Sequence, residues 1–409
     1  MSCVVITEAE RQAGSWPWLE VLLNAQRWFK KTEKRLGAVS EKHAWWGFAH
    51  RFRRLVKQWI QSLADGTHRF SPLIQYLGRY GDLQVVWSFL DTLMVHLVHR
   101  QIRKTFPHII SKRCLHLAGP NAVKSVTHQI TAAMNSGQFQ YCIRTDIKSF
   151  YASIDRGILL KQLSNEYDDP KLLNYFEGIV NVAIDNGGNV CLPKIGIPLR
   201  SSLSPFFGAL YLKPLDEAFE KKAGIYYVRY MDDVIILIKN KRQYTKARKV
   251  LFSTLRKLKL QVSPKKTWMG KLTRGFHFLG IDYKINEDHQ AARTLGEKTQ
   301  VRLHKRTHRR ALDKVIALRS AKSVSETGLK QNAVHPANIQ RYLTRWATWW
   351  QRVIGGSETK SEIFKEWAQY VGEHQPEHVW LGRGLIERTG MNEKPKLGGS
   401  RWIEQAVAE

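Results

Sequence analysis

The sequence contains few cysteines and no long apolar run. Its 4 cysteines are spread along 409 residues without a CxxC pair, a spacing that indicates neither a zinc site nor a disulfide framework, so a reducing cytoplasm is the expected location. No window of about 18 uninterrupted apolar residues occurs. The opening stretch MSCVVITEAERQAGS has acidic residues where a signal peptide needs apolar ones. We therefore expect no membrane partner and no secretory leader.

Acidic side chains are scarce relative to basic ones. The chain has 35 Asp and Glu against 65 Lys and Arg, a formal net charge of +30, and a pI near 10.0. Its apolar fraction of 43% argues against disorder, and its length favours two or three packed units. Because a folded body with this excess charge needs an anionic partner, nucleic acid is the leading candidate.

Apolar periodicity predicts several helices. Residues 17–65 repeat apolar side chains every three or four positions, and residues 82–106 show the same period, with Asp82 placed as an N-cap and Pro107 beyond the end. Two strongly basic segments, 297–322 and 339–355, are also predicted to be helical. We interpret 291–355 as a small helical bundle.

Strand patterns are concentrated in the middle of the chain. Residues 139–146 alternate apolar and polar side chains, which predicts a half-buried strand ending at Asp146. The segment YYVRYMDDVIILI, residues 226–238, predicts a hairpin with MDD at its tip. Interleaved helices around such strands predict an α+β fold.

The carboxylates of this region suggest a metal site. Asp232 and Asp233 alone fit an ordinary turn and a cation site equally well, since Asp is a common turn residue. Asp146 at a second strand end favours the cation site, because two neighbouring carboxylate-bearing strand ends can hold two metal ions for phosphoryl transfer.

The motifs resemble reverse transcriptases. RTDIKSFYASID, GIPLRSSLSP, RYMDD, SPKKTW and FHFLG occur in the order and at roughly the spacing of that family's blocks, from about residue 68 to 285. The pattern is most similar to bacterial stand-alone, group II intron-like enzymes. The resemblance implies a right-hand polymerase with fingers at 68–140, an antiparallel palm at 141–290 and a helical thumb at 291–355. An N-terminal helical region at 1–67 and a short C-terminal extension at 356–409 would flank it.

The resemblance also implies a catalytic set. Two Mg²⁺ ions, with Mn²⁺ as an alternative, would be held by Asp146, Asp232, Asp233 and the backbone of Ile147. Lys266 matches a lysine near the triphosphate, and Lys265 is a near-equal candidate.

Further residues are assigned to substrate by the same resemblance. Tyr151 matches a gate that favours dNTP over rNTP, although the alternative is that Tyr151 and Phe150 are core aromatics. The expected nucleotide-binding residues are Tyr151, Phe150, Arg113, Lys124 and Arg200. The expected primer and template residues are Phe278, Leu279, Gly280, Arg306, Arg310 and Trp346.

One block departs from the family pattern. Leu199 and Arg200 stand in IPLRSSLSP where the family usually has Gln-Gly. Because glycine lets backbone approach a ligand closely, we hypothesise altered template handling. No nuclease block follows the predicted thumb, and the retron markers are not recognisable.

The expected function is RNA-directed DNA synthesis: addition of dNTPs to a primer 3′ end on an RNA template. A dedicated non-coding RNA is an expected partner, an oligomer is allowed, and antiphage defence is suggested by family analogy alone. The alternatives are an RNA-binding scaffold without useful synthesis, an RNA-dependent RNA polymerase, and a template-independent terminal transferase.

Overall fold

The structure is a computed structural model that describes residues 27–28, 31, 46–77, 83–119, 121–285, 299–320 and 336–354. The predicted helix near residue 17, the N-cap at Asp82 and the C-terminal extension lie outside the described residues. The described helices are α1 (Trp46–Asp65), α2 (Phe89–Ile102), α3 (Phe106–Ile109), α4 (Ala122–Asn135), α5 (Phe150–Ser153), α6 (Arg156–Glu166), α7 (Pro170–Val180), α8 (Ser204–Tyr211), α9 (Lys213–Glu220), α10 (Lys241–Lys257), α11 (Lys305–Ser320) and α12 (Pro336–Ile354).

Eleven strands are described, in three sheets. They are β1 (Leu73–Leu77), β2 (Leu83–Val86), β3 (Tyr141–Thr145), β4 (Ile184–Asn186), β5 (Asn189–Cys191), β6 (Ile225–Tyr230), β7 (Asp233–Ile238), β8 (Trp268–Lys271), β9 (Phe276–Phe278), β10 (Ile281–Ile285) and β11 (Thr299–Leu303). The strand orders are β2-β1-β4-β5, β6-β7-β3-β8 and β11-β10-β9. The chain is therefore a mixed helix and sheet protein. Among the described helices, none has both the length and the apolar character needed to cross a bilayer.

The described residues divide into two compact units. The first lies within Met1–Ala122 and Ala133–Phe276, and the second within Val123–Ala132 and His277–Glu409. The centre of the first unit is the antiparallel sheet β6-β7-β3-β8. The segment 139–146 does form the predicted strand, but four consecutive residues of β3 are buried, so both faces of this strand are covered. The expectation of a half-buried strand was wrong.

Helix α10 covers one face of this sheet. Its buried side chains, Ala247, Leu251 and Leu255, recur at helical spacing, and the helix contacts β3 and β7. Burying a leucine side chain of this kind stabilises a fold by about 1.5–3 kcal/mol. The Asn240 side chain accepts a hydrogen bond from the Gln243 amide, 2.9 Å away, and so caps the start of the helix.

The segment 82–106 is not one helix. Residues 83–86 form β2, which pairs antiparallel with β1, and α2 begins only at Phe89, after the N-cap Ser88. Two consecutive valines favour a strand, and an available partner strand outweighs a local helical period. Pro107 lies inside α3, near its start, where its missing N–H costs no helical hydrogen bond.

The second unit contains the sheet β11-β10-β9 and the helices α11 and α12. The segment 297–322 was predicted to be wholly helical, but residues 299–303 form β11, antiparallel to β10. Helix α11 follows at Lys305, and α12 confirms the second predicted helix. Helices α11 and α12 contact each other, and Leu312, Val315 and Leu343 are fully buried.

Candidate active site

The predicted hairpin carries the first two carboxylates. Strands β6 and β7 pair from Ile225 with Ile238 to Tyr230 with Asp233, so Met231 and Asp232 form a two-residue turn. Met231 adopts a left-handed φ of 57°, which a tight turn between twisted strands requires. Asp232 thus lies in the turn, while Asp233 is the first residue of β7.

Strand register brings in the third carboxylate. Strand β3 runs antiparallel to β7, and Thr145 pairs with Val234. One residue further along, the same register places Asp146 opposite Asp233. The structure therefore brings Asp146, Asp232 and Asp233 to one end of the same sheet, although they are far apart in the sequence.

The electrostatics of this end favour a cation. Burial, followed by repulsion from Asp232 and Asp146, raises the pKa of Asp233 to about 6. Burial also raises the pKa of Asp232, with Asp146 adding to the increase. Lys266 Nζ donates a hydrogen bond to Asp146 Oδ2 at 2.6 Å, and this bond raises the pKa of Lys266. The one ammonium group of Lys266 cannot balance the charge of three carboxylates, so this end of the sheet keeps an excess of negative charge.

The donor set fits a hard divalent cation. All three side chains offer carboxylate oxygens, the ligands that Mg²⁺ prefers. An ion held by Asp146 would compete with the Lys266 ammonium, which lies 2.6 Å from Asp146 Oδ2. The backbone carbonyl of Ile147 fits a metal ligand. Ile147 forms a bridge with Val262, but the hydrogen bonds of this bridge use the Asp146 carbonyl and the Lys148 amide and not the Ile147 carbonyl.

A buried ion pair holds the turn that contains Asp232. Arg229 and Asp216 are both fully buried, with Arg229 Nε 2.8 Å from Asp216 Oδ1 and Nη2 2.5 Å from Oδ2. Arg229 Nη1 donates to the Met231 carbonyl at 2.8 Å, and Tyr227 donates to Asp216 Oδ1 at 2.6 Å. The backbone next to Asp232 is therefore fixed by a side chain that also anchors α9.

His116 supports the same turn from the other side. Its Nδ1 accepts a hydrogen bond from the Met231 amide at 3.2 Å, and its Nε2 donates to the Pro205 carbonyl at 3.1 Å. Burial lowers the pKa of His116 to about 4, so the neutral ring keeps the lone pair that this contact needs. Sequence reasoning missed the roles of Arg229, Asp216 and His116. The sequence signal that could have revealed Arg229 was its position among the apolar and aromatic residues of β6.

The predicted gate residue lies beside the carboxylates. Tyr151 is half-buried in α5, and burial, with a smaller effect of Asp232, raises its pKa to about 12. Phe150 is 4% exposed and packs beside Tyr151 and Gly208, where a Cβ would lie 2.9 Å from the Phe150 ring. Phe150 is therefore a buried core residue.

Arg200, Leu199 and Arg113 also belong to the first unit. Leu199 and Arg200 are exposed, and Arg200 has a φ of 62°, a left-handed conformation that costs a residue with a Cβ about 1–2 kcal/mol. The Arg113 guanidinium lies 5.6 Å from the centre of the Tyr226 ring, and the Arg113 carbonyl accepts a hydrogen bond from the Arg229 amide.

The remaining predicted residues belong to the second unit. Phe278 is buried, and Leu279 and Gly280 form a turn with φ values of 51° and 81°. Arg306 and Arg310 on α11 and Lys124 on α4 are exposed. Trp346 is 9% exposed and packs edge-on against His308, so it is a core residue here and not an exposed platform for bases.

Together, these features indicate a kind of chemistry. An antiparallel sheet with three carboxylates at the ends of adjacent strands, beside a lysine, suits metal-dependent phosphoryl transfer. Residues 85–283, just under half of the chain, match the family described as "Reverse transcriptase (RNA-dependent DNA polymerase)". Residues 85–283 therefore form a reverse transcriptase domain. Such domains generally use divalent metal ions, usually Mg²⁺.

No curated protein matches the sequence significantly. Among solved structures, the chain is similar to apo telomerase from Candida tropicalis, truncated from the C-terminal domain, with 15% identity and a TM-score of 0.40. The match covers 62% of this chain and 60% of the telomerase chain.

Mg²⁺ is expected to stabilise the protein in a pH-dependent way. Because folding raises the pKa of Asp233 from 3.8 to about 6, this group's contribution to stability falls as the pH rises through that window. A bound cation offsets the penalty, so the increase in melting temperature caused by Mg²⁺ should be larger at about pH 7.5 than at about pH 5. Thermal unfolding measures this increase. Asp233→Asn should reduce the difference between the two pH values, whereas Asp168→Asn, at an exposed position, should preserve it.

Proposed function

We propose that this protein extends a primer 3′ end with dNTPs on an RNA template by two-metal phosphoryl transfer. The observation that carries the proposal is the juxtaposition of Asp146 with Asp232 and Asp233 at the ends of adjacent antiparallel strands, inside the residues that match the reverse transcriptase family. The net charge of +30 suits a nucleic acid template and primer.

Each residue of the site has a distinct role in this proposal. Asp146 and Asp232 would hold the metal ions, with Asp233 and the Ile147 carbonyl as weaker contributors. Ions held there would supply activation of the primer hydroxyl and neutralisation of charge on the triphosphate and pyrophosphate. Arg229 and His116 keep the Asp232 turn in place, so that little reorganisation is needed when substrate binds.

Lys266 changes partner in the proposed reaction. Its ammonium neutralises Asp146 in the substrate-free protein, and its side chain is 61% exposed, so it can swing to the triphosphate. A lysine there can stabilise the leaving pyrophosphate or protonate it. Ion binding at Asp146 and release of Lys266 would therefore be linked events.

The biological setting in the proposal rests on resemblance. The motifs are most similar to bacterial stand-alone, group II intron-like enzymes, which favours a dedicated non-coding RNA, a reducing cytoplasm and a role in antiphage defence. Arg306 and Arg310, exposed on α11, suit contacts with an RNA backbone.

A primer-extension assay tests the proposed function. The purified protein is given Mg²⁺, an RNA template annealed to a DNA primer, and labelled dNTPs or rNTPs, with an Asp232→Ala and Asp233→Ala double variant in parallel. Template-complementary DNA from the wild type alone is the expected product. Extension without template would indicate a terminal transferase, and RNA products an RNA polymerase. RNA binding with no extension by either protein would leave a scaffold.

Tyr151→Ala is expected to relax sugar selection. The ring lies close enough to Asp232 for that carboxylate to affect its pKa, so a gate at this position would exclude a ribose 2′-hydroxyl by its bulk. Removing the ring should raise rNTP use relative to dNTP use by at least about tenfold, roughly 1.4 kcal/mol of discrimination. Steady-state kinetics with both substrates measure the ratio. Tyr151→Phe keeps the ring and should remain selective, and equal ratios for wild type and Tyr151→Ala would exclude the gate.

Arg200 is the residue that motivates the alternative of an RNA-binding scaffold, because it stands where the family usually has glycine. Arg200→Gly should stabilise the protein by about 1 kcal/mol, because glycine adopts a positive φ freely, whereas Arg200→Ala keeps the backbone strain and removes the side chain. Denaturant unfolding gives the difference between the two variants. If the arginine alters template handling, both variants should change extension rate or template choice in the same direction. Kinetics and products identical to wild type for both would reject that role.

A further inference from the structure

The second unit carries a cluster of metal-binding side chains distinct in composition from the three aspartates. His277 lies in β9, Asp282 in β10, and His304 follows the last residue of β11. One donor atom from each residue lies within 4.8 Å of the other two, the only such trio among the described residues. We propose that these three residues bind one divalent transition-metal ion of the Zn²⁺ class.

Strand pairing places these side chains together. In the sheet β11-β10-β9, Asp282 pairs with Arg302, so His304, two residues further on, lies on the same face and diagonal to Asp282. His304 Nδ1 is 2.8 Å from Asp282 Oδ1 and 3.1 Å from Oδ2. The His277 and His304 rings stack with centroids 4.5 Å apart and planes 7° apart.

The backbone around the cluster is already fixed. The His304 amide donates to the Gly280 carbonyl at 3.0 Å, and Thr307 Oγ1 donates to the same carbonyl at 2.9 Å. A Cβ on Gly280 would lie 2.6 Å from Thr307 Oγ1, so glycine is needed for this close approach. Because the ligand-bearing segments are tied together without an ion, little chain entropy would be lost on binding.

The chemistry of the trio selects the kind of ion. Two imidazoles and one carboxylate suit Zn²⁺ and neighbouring transition metals, whereas Mg²⁺ prefers oxygen ligands. Zinc lies about 2.0–2.2 Å from such ligands, so tetrahedral donors are about 3.3–3.6 Å apart. The His304–Asp282 separation is close to this range. The parallel rings must tilt for both to face one ion, a rotation about the broad χ2 torsion of histidine.

Another histidine–aspartate pair shows what a purely structural contact looks like. His68 Nε2 lies 2.9 Å from Asp91 Oδ1, and Asp91 is 1% exposed and also accepts from Ser88 and the Ser71 amide. By contrast, the Asp282 side chain is 44% exposed, is accompanied by a second imidazole, and is accessible to an ion from solvent.

An ion at this site would clamp the Leu279–Gly280 turn. His277 and Asp282 flank that turn in sequence, and His304 connects it to the start of α11. Ion binding at this site is independent of polymerase activity, because its expected effects are on metal affinity and on the local stability of the Leu279–Gly280 turn.

Titration of tag-free, chelator-treated full-length protein with Zn²⁺ in excess Mg²⁺ tests the site, with Co²⁺ absorption as a second probe. We expect one ion per chain, with the dissociation constant weakened at least about tenfold by His277→Gln or Asp282→Asn. His277→Gln leaves the His304–Asp282 hydrogen bond in place, and the melting temperature of the metal-free variant reports whether its fold is kept. Zn²⁺ should also slow hydrogen exchange in residues 276–285 of the wild type and not of this variant.

Two controls make the outcome decisive. His128→Gln removes an exposed histidine from α4 and should bind as the wild type does, and the Asp232→Ala, Asp233→Ala double variant should also retain the ion. The site is rejected if Zn²⁺ does not bind, or if binding is unchanged in both His277→Gln and Asp282→Asn. It is equally rejected if the ion is lost only when the two catalytic aspartates are removed.

Discussion

Asp146→Asn is expected to lower the primer-extension rate by about 10³-fold while leaving the fold intact. The substitution removes a carboxylate that a metal ion requires, and metal stabilisation of phosphoryl transfer is worth several kcal/mol, where each 1.36 kcal/mol is a factor of ten. The strand end is held through the backbone, since the Asp146 carbonyl accepts from the Ser263 amide at 2.7 Å. Single-turnover extension with saturating dNTP measures the loss.

Two controls accompany Asp146→Asn: the same substitution at a matched aspartate, and a measurement of folding. Asp168→Asn makes the same chemical change at an exposed position and should extend primers at the wild-type rate. Circular dichroism and thermal unfolding should be the same for Asp146→Asn and wild type. Retention of more than about a tenth of the activity by a folded Asp146→Asn would contradict a metal-ligand role, because one tenth corresponds to only about 1.4 kcal/mol.

Arg229→Met is expected to cost about 3–5 kcal/mol of the free energy of unfolding, the usual effect of leaving a buried charge unpaired. The change leaves the Asp216 carboxylate without its guanidinium partner inside the protein, where both side chains are 0% exposed. It also removes the donor to the Met231 carbonyl. Chemical denaturation measures the loss of stability.

A double variant separates stability from positioning. Arg229→Met combined with Asp216→Leu removes both charges and should recover most of the stability, since apolar replacements of buried ion pairs are often neutral. Primer extension should remain impaired, because the Met231 carbonyl still lacks its donor and the Asp232 turn is less constrained. Arg309→Met breaks an exposed pair with Asp313 and should cost no more than about 1 kcal/mol. Full activity in the stable double variant would show that Arg229 acts on stability alone.

The carboxylate site could be anticipated because its residues follow local rules. Two Asp in a hairpin turn and one Asp after an alternating strand are visible as patterns, and the family motifs supplied their relation. The support of the turn could not be anticipated in the same way. Asp216, Arg229 and His116 meet through strand pairing and helix packing, and no spacing in the chain indicates that a histidine would accept a hydrogen bond from Met231.

Local pattern failed at two segments for the same reason. Residues 83–86 and 299–303 were predicted to be helical from their periodicity, but each forms a strand because a neighbouring strand offers it hydrogen bonds. Trp346 was predicted to contact primer or template, but it is 9% exposed and packs against His308.

Composition and short motifs determined the basic charge, the mixed helix and sheet character, the hairpin and the candidate carboxylates, because these depend on residue type and on neighbours within a few positions. Long-range pairing established the rest: the register that sets Asp146 opposite Asp233, the buried Arg229–Asp216 pair and the meeting of His277, Asp282 and His304. Such contacts join residues that are distant in the chain, and their energies depend on burial and geometry that exist only once the chain has folded.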